Sequence, residues 1–254
     1  MAIPVIELRD VTLDYGSEVV VDRVNLAVKR GETKVILGPS GVGKSTILKA
    51  ILGLLKPKAG EVIIHGTPIS KLPERELVKM RLRMAMVFQS GALFDSMTVG
   101  ENVSFRLREH AMAGEEEIER RVHEVLTFVG MHGAVRLSPA QLSGGMKKRV
   151  AIARALAPDP EVFLFDEPTT GLDPINLFNI EQLVLKLKQR QNTSLVIVTH
   201  DVESAERLAD SIVILHGGKF IFEGTPEELK KNSDKRVRAF LDPGASQWGG
   251  ANNV

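Results

Sequence analysis

Apolar residues alternate along the first thirty positions, through Ile6, Leu8, Val11, Leu13 and Tyr15 and again through Val19, Val21, Val24, Leu26 and Val28. A period of two marks strands with one buried face, so residues 3–28 predict half-buried antiparallel strands. The pattern then changes to Lys34-Val35-Ile36-Leu37, an unbroken apolar run suited to a strand buried on both faces. A glycine-rich turn and a helical stretch over 45–54 follow it. Strands are also predicted over 61–65 and 84–88, and helices with charged outer faces over 73–83 and 115–129. Between about 90 and 157 no convincing strand occurs. After Pro158-Asp159-Pro160 strands return at 162–165, 194–198 and 211–215, separated by helices over 176–190 and 202–208. Strands alternating with helices predict an α/β fold whose parallel sheet is covered on both faces. The helical middle reads as an insertion into that core. The Gly- and Asn-rich end from Gly244 to Val254 is the only stretch resembling low complexity.

Composition narrows the function. The chain has 254 residues, 43% of them hydrophobic and 26% charged, enough for one large core or one core with an inserted lobe and too apolar for general disorder. Its 33 basic against 32 acidic residues leave a net charge of +1, so bulk charge steers it to no nucleic acid. Cysteine is absent, which excludes disulfides, thiolate zinc sites and a Cys nucleophile. No apolar stretch approaches the roughly 18 residues that cross a bilayer. The opening Met1-Ala2-Ile3-Pro4-Val5-Ile6-Glu7 lacks a secretory pattern, so a cytosolic polypeptide is the expectation.

Chemistry concentrates at strand ends. Gly38-Pro39-Ser40-Gly41-Val42-Gly43-Lys44-Ser45 matches GxxxxGK[ST] between a predicted strand and a predicted helix, with Thr46 next along. Its glycines let successive N–H groups point at phosphate oxygens, and Lys44 supplies charge to the β and γ phosphates. The Ser45 hydroxyl suits Mg²⁺. The strand Val162-Phe163-Leu164-Phe165 ends in Asp166-Glu167. Beside a phosphate loop, Asp166 reads as the acidic residue of the Mg²⁺ shell and Glu167 as the general base that polarises the attacking water. A GTPase, a kinase and an ATPase all use such parts, but the guanine-reading Asn-Lys-x-Asp is missing.

Leu142-Ser143-Gly144-Gly145-Met146, a second glycine-containing anion nest before a helix predicted over 147–156, decides among them. With it, the chain resembles the ATP-binding cassette subunits of ABC transporters over nearly all of residues 5–231. The resemblance implies a P-loop NTPase fold with a RecA-like core sheet, an antiparallel β lobe and an inserted helical subdomain at about 90–157, spanning 3–231 and followed by an extension over 232–254. It implies ATP and Mg²⁺ as ligands. Tyr15 falls where such subunits stack a ring on adenine, and Gln89 where a glutamine senses Mg²⁺ and the attacking water. His200, by itself an ordinary strand-end residue, falls where a histidine contacts the γ-phosphate. Asp173 closes Thr170-Gly171-Leu172-Asp173, the loop through which two subunits communicate. Ser143, Gly144 and Gly145 would cover the nucleotide of a facing copy, which implies a homodimer. Met146 replaces the family's commoner Gln, but the phosphate contacts belong to Ser143 and the glycine backbone.

The run Phe88 to Val99, together with Leu142 to Met146 and the late Phe240-Leu241-Asp242-Pro243-Gly244, is similar to MlaF-type ATPases, which energise phospholipid transport between inner and outer membranes. That similarity implies an MlaE-like permease, with MCE-domain and STAS-domain subunits, and a place at the cytoplasmic face of the inner membrane. A permease helix would dock near Leu93, Phe94 and Met97, for which core packing is the alternative. An importer ATPase for amino acids shares every motif and remains open. A non-transport cassette protein needs tandem cassettes or a long coiled coil, which this length does not hold. Lys147-Lys148-Arg149 reads as a solvated helical face, as do Glu115-Glu116-Glu117 and Arg120-Arg121. Val237, Phe240 and Leu241, at i, i+3 and i+4, make an apolar face too short to stand alone and in need of a docking surface, which the MlaF resemblance implies at the dimer and partner-subunit side.

Overall fold

The computed structural model describes residues 3–190 and 193–241. The expected two-strand opening is β1 (Ile6–Tyr15) and β2 (Glu18–Val28), paired antiparallel from Ile6 opposite Val28 to Tyr15 opposite Glu18. Gly16, at φ 72, supplies the left-handed residue of the two-residue hairpin turn. After β3 (Thr33–Leu37) and α1 (Lys44–Ile51), β4 (Ala59–Ile64) and the short β5 (Thr67–Pro68) complete a four-stranded sheet in the order β2-β1-β4-β5. Helix α1 stops short of the expected 54 because Gly53 takes φ 66. There the Gly53 N–H donates to Ala50 O and the Leu54 N–H to Lys49 O, the paired bonds of a glycine-terminated helix.

Next come α2 (Glu74–Leu82) and β6 (Met84–Val87), then the helical stretch α3 (Val99–Glu109), α4 (Glu115–Phe128) and α5 (Gly144–Leu156), and then β7 (Val162–Asp166). A reciprocal Thr98–Glu101 cap starts α3, a signal present in the sequence. The chain continues through α6 (Pro174–Lys188), β8 (Ser194–Thr199), α7 (Val202–Leu208) and β9 (Ser211–His216). It closes with β10 (Lys219–Gly224), α8 (Pro226–Lys231) and α9 (Lys235–Leu241). Neither β10 nor α8 was expected, although Gly217-Gly218 and the Thr225-Pro226-x-Glu228 cap mark them.

The second sheet runs β10-β9-β3-β8-β7-β6, with β10 antiparallel and the other five strands parallel. Parallel strands put their carboxyl ends on one edge, which gathers the chemistry-bearing loops after β3, β6, β7 and β8. Alternate residues serve opposite faces. Ile36, Leu164, Val196 and Val198 pack with Ile47, Leu48 and Ile51 of α1 and with the four-stranded sheet. Each of those α1 side chains is fully buried, worth about 1.5–3 kcal/mol relative to exposure. Val35, Leu37, Phe163 and Phe165 face the other way, into one cluster with Val103, Ile118, Val150 and Ile152. The helical insertion therefore lies between neighbouring strands β6 and β7 and shares the sheet's core, with α5 serving as the crossover.

On α4 Arg120 pairs at the surface with Glu117, but Arg121 is corrected from a solvated residue: it is 16% exposed, donates to Ala157 O and Leu156 O and pairs with Glu124. The apolar face of α9 docks on the chain's own core, with Val237 fully buried and Phe240 and Leu241 packed beside it. Asp242-Pro243-Gly244 and the Gly244–Val254 stretch lie outside the described residues.

Candidate active site

The loop after β3 curls around itself. Gly41 has φ 80 and Gly43 φ 109, and a Cβ on Gly43 would come within 2.7 Å of Val20 Cγ1. A Cβ on Gly38 would stand 2.5 Å from Leu215 O. Glycine is required at both by close approach, and at Gly43 by conformation as well. Lys44, 5% exposed, donates to Gly38 O at 2.8 Å and Pro39 O at 3.0 Å and pairs with Glu167 Oε1 at 3.1 Å. Ser45 donates its hydroxyl to Asp166 Oδ1 at 2.8 Å.

Glu167 is held on all sides. Its Oε2 accepts from the Thr170 hydroxyl at 2.9 Å and lies 2.9 Å from His200 Nδ1. Its backbone has φ 49, the left-handed region that a non-glycine residue enters only under constraint. Burial pushes the Glu167 carboxyl up, but His200, Lys44 and Thr170 together outweigh it and hold the group below its usual range. Asp166, one residue earlier, goes the other way. Burial raises it, the Ser45 hydroxyl opposes that, and the neighbouring Glu167 charge adds to it. Adjacent carboxylates driven apart in this way are suited to different tasks.

Apart from Asp166, these groups line one cavity of about 410 Å³, formed by Tyr15, Glu18, Val20, Ser40, Gly41, Gly43, Lys44, Ser45, Thr46, Gln89, Glu167, Thr170 and His200. Tyr15 is 53% exposed at the rim, where Lys49 Nζ stands 5.9 Å over its ring. The Thr46 side chain lowers the Tyr15 phenol, burial opposes this, and Lys49 lowers it further. Ser45 and Asp166 offer the hard oxygen donors that a magnesium ion takes, with Gln89 across the cavity. Among the described residues no cluster of three or more His, Asp or Glu could hold a metal. A divalent ion here would therefore depend on phosphate oxygens as well.

Gly38, Pro39 and Val42 belong to the same loop, and Asp166 ends β7, without lining the cavity. The remaining candidates, Ser143, Gly144, Gly145 and Asp173, stand apart and are not among its lining residues either. Ser143 caps α5, accepting from Met146 N at 3.3 Å, and is exposed together with Gly144. Gly145 is buried against α6, where a Cβ would run into the Asn176 side chain. Asp173 caps α6 and accepts from Asn176 Nδ2 at 2.6 Å. Farther along, Leu93 packs on the core while Phe94 stays 41% exposed, tilted against Phe105 at 4.7 Å with the Arg154 guanidinium over it. The reading of Lys148 as solvated is corrected: it is 7% exposed and bonded to three carbonyls near Glu167. Nothing in its local sequence signals that, because its burial depends on how α5 lies against the turn after β7.

The sequence model of the family described as "ABC transporter" matches residues 21–170. The chain belongs to the ABC transporter family. It is 45% identical over 236 residues, 93% of this chain and 89% of the relative, to the intermembrane phospholipid transport system ATP-binding protein MlaF of Haemophilus influenzae. The MlaF of Escherichia coli K12 is 40% identical over 93% of this chain and 88% of the relative. A probable ribonucleotide transport ATP-binding protein, mkl of Mycobacterium bovis, is 39% identical over 93% of this chain but only 66% of its own length. Among solved structures, the cassette MJ0796 in a dimeric post-hydrolysis state bound to ADP and Pi superposes with TM-score 0.80 at 37% identity, covering 87% of this chain and 98% of that one. CbiO1 of Clostridium perfringens, part of the ABC transporter complex cbiONQ, gives TM-score 0.83 at 30% identity over 94% and 96%. This ABC cassette is an ATPase, the ATP-binding subunit of a transporter.

Proposed function

We propose that this ATPase drives phospholipid transport as a homodimer bound beneath a membrane permease, at the cytoplasmic face of the inner membrane. The observation that carries the reading is the 45% identity to an MlaF protein over nearly the full length of both chains. The permease is of the MlaE type, accompanied by MCE-domain and STAS-domain subunits. We assign the permease helix to the segment after Gln89, where Phe94 is 41% exposed beside the half-buried Leu93 and Met97.

Each nucleotide site takes ATP with Mg²⁺. Tyr15 faces the adenine, and Gly38, Pro39, Ser40, Gly41, Val42 and Gly43 form the loop that wraps the phosphates; the main-chain N–H groups come from Ser40 to Gly43, because Pro39 has none and Gly38 N–H is donated to Thr199 O. The polyphosphate competes for Lys44, drawing its ammonium away from the loop carbonyls and from Glu167. Release of that ion pair leaves Glu167 with His200 and Thr170 and a free oxygen to accept the proton of the attacking water. Ser45, Asp166 and Gln89 would hold the metal ion, whose charge would offset the negative charge developing during phosphoryl transfer. Thr46 follows on the phosphate side of α1, and His200, kept on Glu167 through Nδ1, offers Nε2 to the γ-phosphate. Ser143, Gly144, Gly145 and Asp173 complete the site of the facing copy, since their own cavity does not use them.

The test is isolation of the chain from membranes with its native partners, identification of the permease by mass spectrometry, and reconstitution in proteoliposomes. ATP-dependent movement of a fluorescent phospholipid is expected. Ribonucleotide uptake without phospholipid movement overturns the substrate assignment.

A further inference from the structure

Lys148 sits five residues past Ser143 on α5, and its ammonium is turned inward. Nζ donates to Pro168 O at 2.8 Å, Thr170 O at 3.0 Å and Glu167 O at 3.2 Å. An ammonium has three donors, and here all three go to main-chain oxygens of one turn. Among the described residues no ion pair joins it to a carboxylate. Burial lowers its pKa and the Glu167 charge partly restores it. Burying a charge without a counter-ion is costly, and an apolar side chain of the same length would fill the space at lower cost.

The turn that Lys148 grips is the one that carries Glu167. Its backbone is left-handed at Glu167 with φ 49, and the Thr170 N–H reaches Glu167 O only at 3.4 Å. The turn's own hydrogen bonding is therefore weak, and the ammonium supplies the closure that the backbone lacks. A second fastening lies beside it. Gly145 packs directly on Asn176, whose side chain donates to Asp173. One rigid helix thus carries Ser143 at its exposed start and holds the Glu167 turn in place one and a half turns later.

We propose that Lys148 is a positioning residue that couples the two nucleotide sites: through the Glu167, Pro168 and Thr170 carbonyls it transmits the seating of α5 on the facing copy's nucleotide to the Glu167 carboxylate of its own site. The proposal rests on the reading of Glu167 as the base and of Ser143 as a cross-chain contact. Lys148 touches no substrate. It sets where the base stands.

The experiment uses the full chain in its assembled complex, with steady-state ATPase measured over ATP concentration for Lys148→Met, Lys148→Gln and Lys148→Arg. Lys148→Met is expected to lower kcat about 10–100-fold, the scale of a misplaced reacting group, with KM for ATP changed less than about twofold. Its Hill coefficient should fall toward one. Lys148→Arg, which keeps the charge and the donors, should recover most of both. If Lys148→Met is poorly folded by thermal melting, Lys148→Gln is read in its place. In a Glu167→Gln background, Lys148→Met should cost little more, because a residue acting through Glu167 loses its effect once the base is gone. Unchanged kcat in Lys148→Met, a raised KM with kcat retained, or a full additional loss in the double variant overturns the coupling. Failure of the base reading shows separately, as a Glu167→Gln chain that still turns over ATP.

Discussion

The edge of the core sheet and the start of α5 are both anion-binding architecture, yet they are built in opposite ways. At the sheet edge, residues from five elements converge: Tyr15 from β1, Lys44 and Ser45 from α1, Gln89 after β6, Glu167 after β7 and His200 after β8 all line one cavity. Their side chains are already engaged with one another, Lys44 with Glu167, Ser45 with Asp166 and Glu167 with His200. The start of α5 is the reverse. Ser143 and Gly144 are exposed, the Ser143 hydroxyl accepts from Met146 N of its own helix, and neither residue lines the sheet-edge cavity. A helix N-terminus with free N–H groups and no acidic residue in its first turn is prepared for an anion. One region is a nearly complete site, and the other is an exposed helix start outside it. A chain that carries both fits the proposed dimer, in which each copy supplies part of the other's site.

The largest expected effect breaks the comparison at the sheet edge. Glu167→Gln keeps the shape and loses the proton acceptor, so turnover should fall about 10²–10⁴-fold while ATP binding persists. The variant should also accumulate as an ATP-bound dimer on size exclusion. Turnover at the parent rate would remove Glu167 from the role of base.

Next in size is a pair that sets the two regions against each other. Lys44→Ala removes phosphate charge within one chain, and Ser143→Arg blocks the nucleotide of the facing chain; each should cost about 10²–10³-fold or more in ATPase rate. Mixed together, they form heterodimers with both lesions in one site and none in the other. Recovery of part of the activity on mixing is expected. If instead Ser143→Arg chains close into dimers with ATP as readily as the parent, the cross-chain cover is wrong.

A smaller effect sharpens the boundary between α5 and α6. Gly145→Ala forces a methyl into the Asn176 side chain that holds Asp173, an overpacking worth about 1–3 kcal/mol, read as a lowered Tm. Dimer formation should weaken with it while nucleotide affinity of the monomer stays close to the parent value. A Tm equal to the parent's would mean that Asn176 moves aside freely.

The sheet edge was legible from sequence because its chemistry is contiguous: GxxxxGK[ST] and Asp166-Glu167 each sit at the end of an apolar run that reads as a buried strand. The helix over 45–54 came out too long for a physical reason, since Gly53 ends α1 by a backbone conformation that hydrophobic pattern does not encode. Strand β10 escaped because its half-buried residues lack the alternation of β1 and β2. Lys148 is the instructive miss. In sequence it is one of three adjacent cations and indistinguishable from Lys147, and only the packing of α5 against the 167–170 turn decides that one ammonium is buried and the other is not.

The smallest expected effect falls on a part that belongs to neither region. Helix α9 covers the core with Val237, fully buried, and has Phe240 and Leu241 packed beside it, yet none of the cavity's lining residues comes from α8 or α9. A seven-residue helix has no stability of its own, so its contribution is the apolar contact it makes. Val237→Ala removes about two buried carbon groups, worth about 1.5 kcal/mol and a few degrees of Tm for a chain of this size. ATP affinity and kcat should not move. Truncation after Ser233 deletes the whole face and should lower Tm further, again with the nucleotide chemistry intact once the chain is folded. A truncated chain that melts like the parent would show that α9 adds nothing to the core it covers. One that keeps its Tm but loses ATPase activity would tie this segment to the two-site assembly itself.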